Sequence, residues 1–393
     1  GVIQTNSLID RFNKVYTTST AYGVNLNLAQ NYQSARVQIY ADYDAMDTDA
    51  ICCSALDIVA DECTLKNEQG EVLQIRSSDE NIQKLLYNLF YSVLNIEFNL
   101  WSWVRNMAKY GDFYLKLEIA EKYGVYNVIP FSAYNIIREE GFNPDNPQEV
   151  RFKYDPNATL ASSTGYSSVK NQDTGIWFDN YEMAHFRLTG DVNYLPYGRS
   201  YLEPARKLFK QYVLIEDAML IHRIVRAPER RIFYVNVGAI PPGEVDNYMQ
   251  RMIQKMKKTP LIDPNTGNYN LKYNQQNLLE DFFIPVRGND TSTKIDTAKG
   301  LDYNGIEDVA YFREKLFAAL KIPKAFMGYE KDLTGKATLA AEDIRFARTV
   351  ERLQRILVSE LTKIALVHLY AHGYTNESAA NFTLSLTNPS IIY

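Results

Sequence analysis

Apolar residues recur at three- and four-residue intervals in the segment that begins at Tyr201, and this spacing is typical of a helix. Pro204 is tolerated in a first helical turn, and no Gly or Pro follows before Pro228, so about seven turns of helix are allowed. One stripe contains Ala205, Leu208, Tyr212, Ile215, Met219 and His222, and a second contains Phe209, Val213, Leu220 and Ile224. Two apolar faces require two packing partners. The segment is therefore either a core helix of a large domain or a helix wedged between its own chain and a neighbouring copy.

Other segments show helical or strand patterns of hydrophobic positions. Helices are predicted at Ala50–Cys63, Glu80–Val93, Ile96–Tyr110, Glu244–Lys258, Ile306–Leu320 and Thr338–His372. Strands are predicted at Phe113–Ile119, Tyr126–Ile137, Val150–Tyr154, Ile176–Phe178, Ile232–Val237, Asn270–Tyr273 and Phe282–Val286. This mixture predicts an α+β fold.

The remaining segments are polar or rich in turn residues. Gly1–Tyr43 has weak periodicity, which predicts an extended arm with one short helix at Leu8–Tyr16. Cys63–Ser77 alternates like a β-hairpin around a central turn. Arg287–Asp302 is a predicted polar loop, and Lys324–Gly335 is a predicted short irregular loop.

The predicted helix Thr338–His372 is the longest of the chain, at about 50 Å by the standard rise per residue. One face of it carries Phe346, Val350, Leu353, Leu357, Leu361, Ile364 and His368. The other faces carry Arg345, Arg348, Glu351, Arg352, Arg355 and Glu360. Gly373 follows directly, and a glycine is the residue expected just after a helix.

Composition narrows the class of protein. The chain has 393 residues, of which 46% are hydrophobic and 23% charged, so it can bury a substantial core and is not disordered. Its 42 Lys and Arg against 47 Asp and Glu exclude a protein that is basic overall, but not one with local basic patches. Three Cys without metal-ligand spacing favour a reducing compartment. No apolar run is long enough to span a membrane.

Two sequence features resemble known binding motifs without matching them. The loop after Gly328 resembles a phosphate loop, but six residues rather than four separate Gly328 from Gly335, and Ala337 replaces the Ser or Thr that holds magnesium. His368 and His372 lie one helical turn apart, as two metal ligands would, yet no acidic third ligand is marked by spacing. A solvated or packing pair is favoured over a metal site.

A run of acidic residues near position 45 resembles part of a calcium-binding loop. It consists of Asp42, Asp44, Asp47 and Asp49. It lacks the central Gly and closing Glu of such a loop, so helix capping and solvation are the favoured interpretation. The sequence also lacks a nucleophile elbow and a dinucleotide-binding glycine motif. It therefore predicts a non-enzyme with no catalytic residue, cofactor, metal or small-molecule substrate.

Four arginines gather near the end of the first predicted helix: Arg223, Arg226, Arg230 and Arg231. This cluster could contact phosphate, or it could complement the helix C-terminus and pair with acids of another subunit. The sequence leaves both alternatives open.

Several runs in this chain resemble the portal protein family of T-even-like contractile-tailed bacteriophages. They are Gly198–Ala205 (GRSYLEPA), Glu216–Ala218 (EDA), Arg226–Arg231 (RAPERR), Phe233–Gly238 (FYVNVG), Ala55–Glu62 (ALDIVADE), Leu279–Pro285 (LEDFFIP), Asp308–Leu316 (DVAYFREKL) and Ala319–Pro323 (ALKIP). They follow the family's order from about residue 40 to 372. The resemblance implies a ring, usually of twelve copies, at one capsid vertex, through which double-stranded DNA passes during packaging and ejection.

The resemblance also implies a domain plan with an α/β wing, a two-helix stem, an α/β clip and a long C-terminal wing helix. The expected parts are an N-terminal arm (1–43), a wing (44–200), stem helix 1 (201–231), a clip (232–301), stem helix 2 (302–323), a tunnel loop (324–337) and the long wing helix (338–393). The last part would end at the start of a helical crown that is missing or truncated here.

Functional residues are carried over from this plan. The expected DNA-tunnel loop contains Lys324, Lys331, Asp332, Thr334, Gly335 and Lys336. The expected stem and subunit interface contains Tyr212, Ile215, Met219, His222, Arg223, Arg226, Arg230 and Arg231. The expected motor-docking part of the clip contains Pro241, Pro242, Glu244 and Arg287.

The implied partners are other copies of the chain, double-stranded DNA without sequence preference, the terminase large subunit, the major capsid and scaffold proteins, and the neck or head-completion proteins. The implied location is the portal vertex of the virion, after assembly in the host cytoplasm or at its inner membrane. Two alternatives remain at this point: another structural protein of the capsid or tail tube, and an NTP-hydrolysing packaging motor subunit.

Overall fold

The computed structural model describes residues 28–146, 148–156, 175–191, 194–225, 230–256, 282–287, 294–298, 306–328, 336–375 and 378–389. The predicted helix Leu8–Tyr16 and the predicted strand Asn270–Tyr273 lie outside these residues. Among those described, the helices are too short or too polar for any of them to cross a membrane.

Helices and strands alternate irregularly along the chain. The α-helices are α1 (Leu28–Asp47), α2 (Ala50–Cys63), α3 (Glu80–Tyr87), α4 (Ile96–Tyr110), α5 (Arg206–Val225), α6 (Val245–Met256), α7 (Ile306–Leu320) and α8 (Lys336–Ala371). The strands are β1 (Leu73–Arg76), β2 (Asp112–Ala120), β3 (Gly124–Phe131), β4 (Ile136–Glu140), β5 (Val150–Tyr154), β6 (Ile176–Asp179), β7 (Met183–Arg187), β8 (Arg230–Asn236), β9 (Phe282–Val286), β10 (Lys294–Ala298) and β11 (Thr383–Leu386). The predicted α+β class is confirmed.

The chain divides into two compact units. The first unit comprises the described residues up to Lys207 and those from Leu316 onward, and the second runs from Leu208 to Lys315. In the first unit, three small sheets have the strand orders β3-β2-β7, β4-β5-β6 and β1-β11, and all their pairings are antiparallel. This unit is therefore built from two parts of the chain that are distant in sequence.

Helix α8 organises the core of the first unit. It packs against β3, β7, β11 and α2. The face predicted to be apolar is the buried one, with Phe346, Val350, Leu353, Leu357, Leu361 and Ile364 all at most 6% exposed. Gly373 follows the helix with a φ of +93°, a conformation that glycine adopts without strain.

The second unit has a small core of its own. Its sheet has the order β10-β8-β9, in which β8 pairs parallel with β9 and antiparallel with β10. Val235, Val237 and Met249 form the buried centre, and Phe233 stacks on Phe283 with ring centroids 5.0 Å apart. A segment of Pro242–Glu244 forms a 3₁₀ turn before α6.

Five expectations are corrected by the structure. The single strand predicted at Tyr126–Ile137 is two strands, β3 and β4, which belong to different sheets. Residues 28–43 are not extended, because they belong to α1. Cys63–Ser77 is not a hairpin, because its strand β1 pairs with β11 instead. The predicted loop Arg287–Asp302 contains β10, which is held by β8. The helix expected over 201–231 is described as α5 over Arg206–Val225, and it does not extend to residue 231, because Arg230 already belongs to β8.

Candidate interfaces for assembly and DNA

Helix α5 exposes large apolar side chains in the single chain. Leu214, Leu220 and Ile221 are 70%, 55% and 61% exposed. Tyr212 is buried, whereas Ile215 and Met219 are half-buried. A helix enclosed within its own domain would not leave these side chains in water, because each loses about 1.5–3 kcal/mol of possible burial free energy. Of the two sequence hypotheses, the geometry favours a helix that packs against another copy.

The predicted arginine cluster is divided between two elements. Arg223 is exposed near the end of α5, whereas the backbones of Arg230 and Arg231 belong to β8, opposite Ala298 and Thr297 of β10. Arg226 lies outside the described residues, as do the side chains of His222, Arg230 and Arg231. The contact with phosphate or with another subunit stays a prediction.

The predicted docking residues of the clip are brought together. Pro241, Pro242 and Glu244 form an exposed turn at the start of α6. Arg287, which follows β9, donates a hydrogen bond from Nη2 to the carbonyl oxygen of Ile240 at 2.6 Å. The end of β9 is thereby tied to the proline turn, and all four predicted residues form one local surface.

The predicted tunnel loop is described only at its two ends. Lys324 is exposed and begins a 3₁₀ turn, Lys324–Met327, directly after Pro323. Gly328 closes this turn with a φ of +72°. Lys336 begins α8, and its side chain lies outside the description, as do Lys331, Asp332, Thr334 and Gly335. Their role in a tunnel stays a prediction.

A buried polar cluster in the first unit was missed by sequence reasoning. His185 Nε2 donates to Asp112 Oδ1 at 2.7 Å, and the same oxygen accepts from the backbone N–H of Gly198 at 2.8 Å. The other carboxylate oxygen accepts from the hydroxyl of Tyr40 at 3.0 Å. Arg138 donates to His185 Nδ1 at 3.1 Å, which fixes the imidazole as the tautomer with its proton on Nε2.

Burial controls the protonation of this histidine. Desolvation lowers the pKa of His185 to about 4, although the Asp112 carboxylate opposes the shift. The side chains of both residues are only 1% exposed, so the cluster is closed to a substrate and acts as a structural centre. It joins β2, β7 and α1 to the segment that leads into α5.

Two glycines allow the backbones at this centre to approach each other. Gly111 has a φ of +81°, and a Cβ there would lie 2.6 Å from the backbone of Arg199. A Cβ on Gly198 would lie 2.0 Å from the carbonyl oxygen of Gly111. Both contacts are impossible for a larger residue, so this close approach is what brings the Gly198 N–H to Asp112.

The acidic run near position 45 is neither a calcium loop nor largely solvated. Asp49 caps α2 by accepting from the N–H of Ile51 and of Cys52, as predicted. Asp47 pairs with Arg105 at 2.7 Å and with Lys109 at 2.9 Å. Burial raises the pKa of Asp47, but the hydrogen bonds from Arg105 and Lys109 outweigh it and hold the pKa below its usual value.

The remaining carboxylates of this run are also paired. Asp44 lies 2.7 Å from Lys109 Nζ, and Asp42 lies 3.0 Å from Arg206 Nη1. Arg206 also contacts Glu203, which accepts a hydrogen bond from Tyr43. The run therefore anchors α1 to α4 and to the first turn of α5.

The histidine pair of α8 has structural partners. His368 Nδ1 accepts from the N–H of Val125 at 3.1 Å, and His372 Nδ1 donates to the carbonyl oxygen of His368 at 2.9 Å. Among the residues described here, no group of three His, Cys, Asp or Glu side chains is placed to hold a metal ion. The packing interpretation of this pair agrees with these contacts.

Comparison with known proteins places the chain in a family. The model of the family described as bacteriophage T4-like portal protein (Gp20) matches residues 36–393. The chain belongs to this family. The resemblance inferred from its short motifs is thereby confirmed over most of the sequence.

Two relatives in this portal family are named portal proteins. That of Vibrio phage KVP40 is 37% identical over 166 residues, which are 40% of this chain and 32% of the relative. That of Salmonella phage ViI is 28% identical over 262 residues, which are 62% of this chain and 45% of the relative. The matched segments thus span about a third of the Vibrio phage protein and less than half of the Salmonella phage protein.

A solved structure from a gene transfer agent shares the fold of this chain. It is a chain in the neck of an empty gene transfer agent particle, computed with C6 symmetry, and it is 12% identical with a TM-score of 0.51. The match covers 96% of this chain and 90% of that one. At this identity the likeness shows the fold, and it agrees with the predicted portal architecture.

Proposed function

We propose that this chain is a ring-forming portal protein of a tailed-phage capsid and that it acts as a conduit for double-stranded DNA during packaging and ejection. The observation that carries the proposal is the family match over residues 36–393. The exposed apolar side chains of α5 support it, because in a ring each copy has neighbours on both sides that can bury them.

The proposed partners follow from this role. They are about eleven further copies, double-stranded DNA, the terminase large subunit, the capsid and scaffold proteins, and the neck or head-completion proteins. The chain would lie at the portal vertex of the virion and serve as a head-to-tail connector. It would be a structural protein without catalysis, cofactor or small-molecule substrate.

The charge of the chain suits a conduit. Each phosphate that is neutralised by Lys or Arg steepens the salt dependence of binding by about 0.9 in log–log slope, so a tunnel lined with many cations would hold DNA in place. The net formal charge of −5 is compatible with a mostly acidic or neutral tunnel. The lysines of the tunnel loop, Lys324, Lys331 and Lys336, are balanced in the sequence by Glu330 and Asp332. They would then supply only a few weak phosphate contacts that do not depend on sequence.

The domain plan stays part of the proposal. The wing would comprise 44–200 and the long helix from residue 338, the stem 201–231 and 302–323, the clip 232–301 and the tunnel loop 324–337. The surface formed by Pro241, Pro242, Glu244 and Arg287 would face the terminase motor and later the neck.

Electron microscopy of the purified chain tests the proposal. End-on particles should show a closed ring of about twelve units with a central hole wide enough for duplex DNA. Ile221→Glu should abolish the rings, because each copy would place a charge in an apolar contact. Ile176 of β6 provides a matched control, since it is 58% exposed against 61% for Ile221. Ile176→Glu should leave the rings intact.

Monomers or dimers of the unmodified chain at high concentration would contradict the proposal, provided that a version extended at its C-terminus also fails to form rings.

A separate test addresses the tunnel loop. Replacing Lys324, Lys331 and Lys336 with Gln should impair DNA packaging while rings still form, and loss of the rings themselves would exclude a tunnel role for this loop.

A further inference from the structure

Four arginines form a straight row along one exposed face of α8. The row consists of Arg345, Arg348, Arg352 and Arg355, all exposed. Their spacing of three, four and three residues keeps them on one side of the helix and spreads them over about 15 Å. The opposite face of the helix is buried in the core of the first unit, so the row is held on a rigid support.

The arginine row carries four positive charges on the described surface of α8. Among the side chains that the structure describes, none of the four guanidinium groups forms an ion pair with a carboxylate. Arg352 donates to the carbonyl oxygen of Arg348 at 3.3 Å and to Thr349 Oγ1 at 3.2 Å. Glu351, one turn before Arg355, is half-buried at the edge of an open groove between α8 and β11.

The exposed side chains of α8 around the row are polar and mostly basic, as at an interface with nucleic acid. Interfaces between proteins contain a buried apolar centre, whereas interfaces with DNA are polar and strongly positive. Of the described side chains of α8, the exposed large apolar one is Tyr370, at the far end of the helix. Guanidinium groups also bind phosphate oxygens through two parallel hydrogen bonds, which lysine cannot do.

We propose that the arginine row binds the phosphate backbone of double-stranded DNA and holds it in place. Four adjacent cations in each copy would grip DNA too firmly for a surface along which DNA slides. The row therefore suits DNA that is stationary, such as packaged genome lying against the particle side of the portal. That this DNA is the phage genome depends on the function proposed above.

Fluorescence anisotropy with a labelled random duplex of about 20 base pairs tests the row directly. The intact chain is compared with a variant in which Arg345, Arg348, Arg352 and Arg355 are all replaced by Gln, at several KCl concentrations. The variant should bind at least tenfold more weakly at low salt. Its log–log salt slope should be smaller by about 3 to 4, because four phosphate contacts of about 0.9 each are lost.

The control variant removes the same charge from the same unit. It replaces Lys66, Arg76, Lys84 and Lys122, which are exposed on other elements, with Gln. Its affinity and salt slope should change little. A second variant with Lys at all four row positions should keep most of the slope, since it keeps the charges. Equal losses in the row and control variants, or an unchanged slope in the row variant, would overturn the inference.

The same samples separate this inference from the proposed function. If the intact chain forms rings and the row variant binds DNA as tightly as the intact chain, only this inference is overturned. The row would then be expected to contact an acidic protein partner. Failure of the intact chain to form rings bears on the proposed function, whereas the row is judged by its salt slope in either case.

Discussion

The two units of the chain differ in how their apolar and charged side chains are buried and paired. The first unit buries its apolar residues around α8 and pairs its inner charges, as the Asp112–His185 contact and the pairing of Asp47 with Arg105 and Lys109 show. The second unit has a small buried centre, and it exposes Leu214, Leu220, Ile221, Ile284 and Ile295. The first unit has the larger core, although it also exposes single side chains such as Phe98 and Tyr123, whereas the second unit exposes three large aliphatic side chains on one helix, α5.

This difference predicts which property a substitution in each unit will change. In the first unit they should change the free energy of unfolding of the chain itself. In the second unit, substitutions of exposed apolar residues should change assembly far more than the stability of one copy. The three experiments that follow test this contrast.

The largest effect is expected at the buried polar cluster. Asp112→Ala should lower the free energy of unfolding by about 3–5 kcal/mol, because it leaves His185, Tyr40 and the N–H of Gly198 buried without their acceptor. Chemical denaturation measures the change. Asp112→Asn keeps an acceptor oxygen for His185 and Gly198 and should cost clearly less; equal costs for the two variants would show that this oxygen alone does not stabilise the cluster.

A matched pair of leucines compares the two units directly. Leu361 of α8 is 0% exposed and Leu214 of α5 is 70% exposed. Leu361→Ala should lower the free energy of unfolding by about 3 kcal/mol through lost burial and a cavity, whereas Leu214→Ala should change it by less than about 1 kcal/mol. Native mass spectrometry should show the opposite order for the loss of rings. Similar effects on unfolding would contradict the contrast between the units.

The smallest effect is expected from pH. The pKa of His185 is lowered to about 4 in the folded chain, against about 6.5 when unfolded. Between these values the unfolded chain binds more protons, so stability is fully present above pH 6.5 and falls as pH decreases towards 4. The limit is about 1.4 kcal/mol per pH unit. His368, whose pKa burial also lowers to about 4, adds a loss of the same sign. Denaturation at pH 7, 6 and 5 should show the combined slope, and His185→Gln should remove the share of His185.

Local sequence signals predicted the elements that depend on nearby residues. Helix α2 was predicted with its exact bounds because Asp49 provides an N-cap and the apolar spacing is regular. Helix α4 was predicted equally well, since Gly111 supplies the left-handed residue that ends it. The bounds of α7 and β9 also agree with the prediction.

Elements that depend on distant residues were not predictable from local patterns. Strand β1 was assigned to a hairpin because its partner, β11, lies near the other end of the chain. Strand β10 is polar and was expected as a loop, and pairing with β8 decides its conformation. Helix α1 was missed because its buried residues, such as Tyr40 and Tyr43, lie in a polar segment whose periodicity is weak.

The candidate sites likewise differ in whether they depend on nearby or on distant residues. The exposed apolar face of α5 follows from the excess of apolar positions on one predicted helix. The Asp112–His185 contact joins residues 73 positions apart, and no spacing rule relates them. The arginine row was visible as a set of charges on α8, but its lack of ion pairs required the positions of the surrounding side chains.

The pairing of β1 with β11 delays completion of the first unit until the end of the chain has been synthesised. Gln74 and Ser385 face each other in this sheet although they are 311 residues apart. At about 5–20 residues per second, a ribosome needs roughly 15–60 s to travel between them. During that interval β1 has no partner strand and the core around α8 is unfinished. A nascent chain therefore completes its first unit only after helix α5, with its exposed apolar side chains, has emerged from the ribosome. Until then α5 must not associate with other nascent chains on the same messenger RNA.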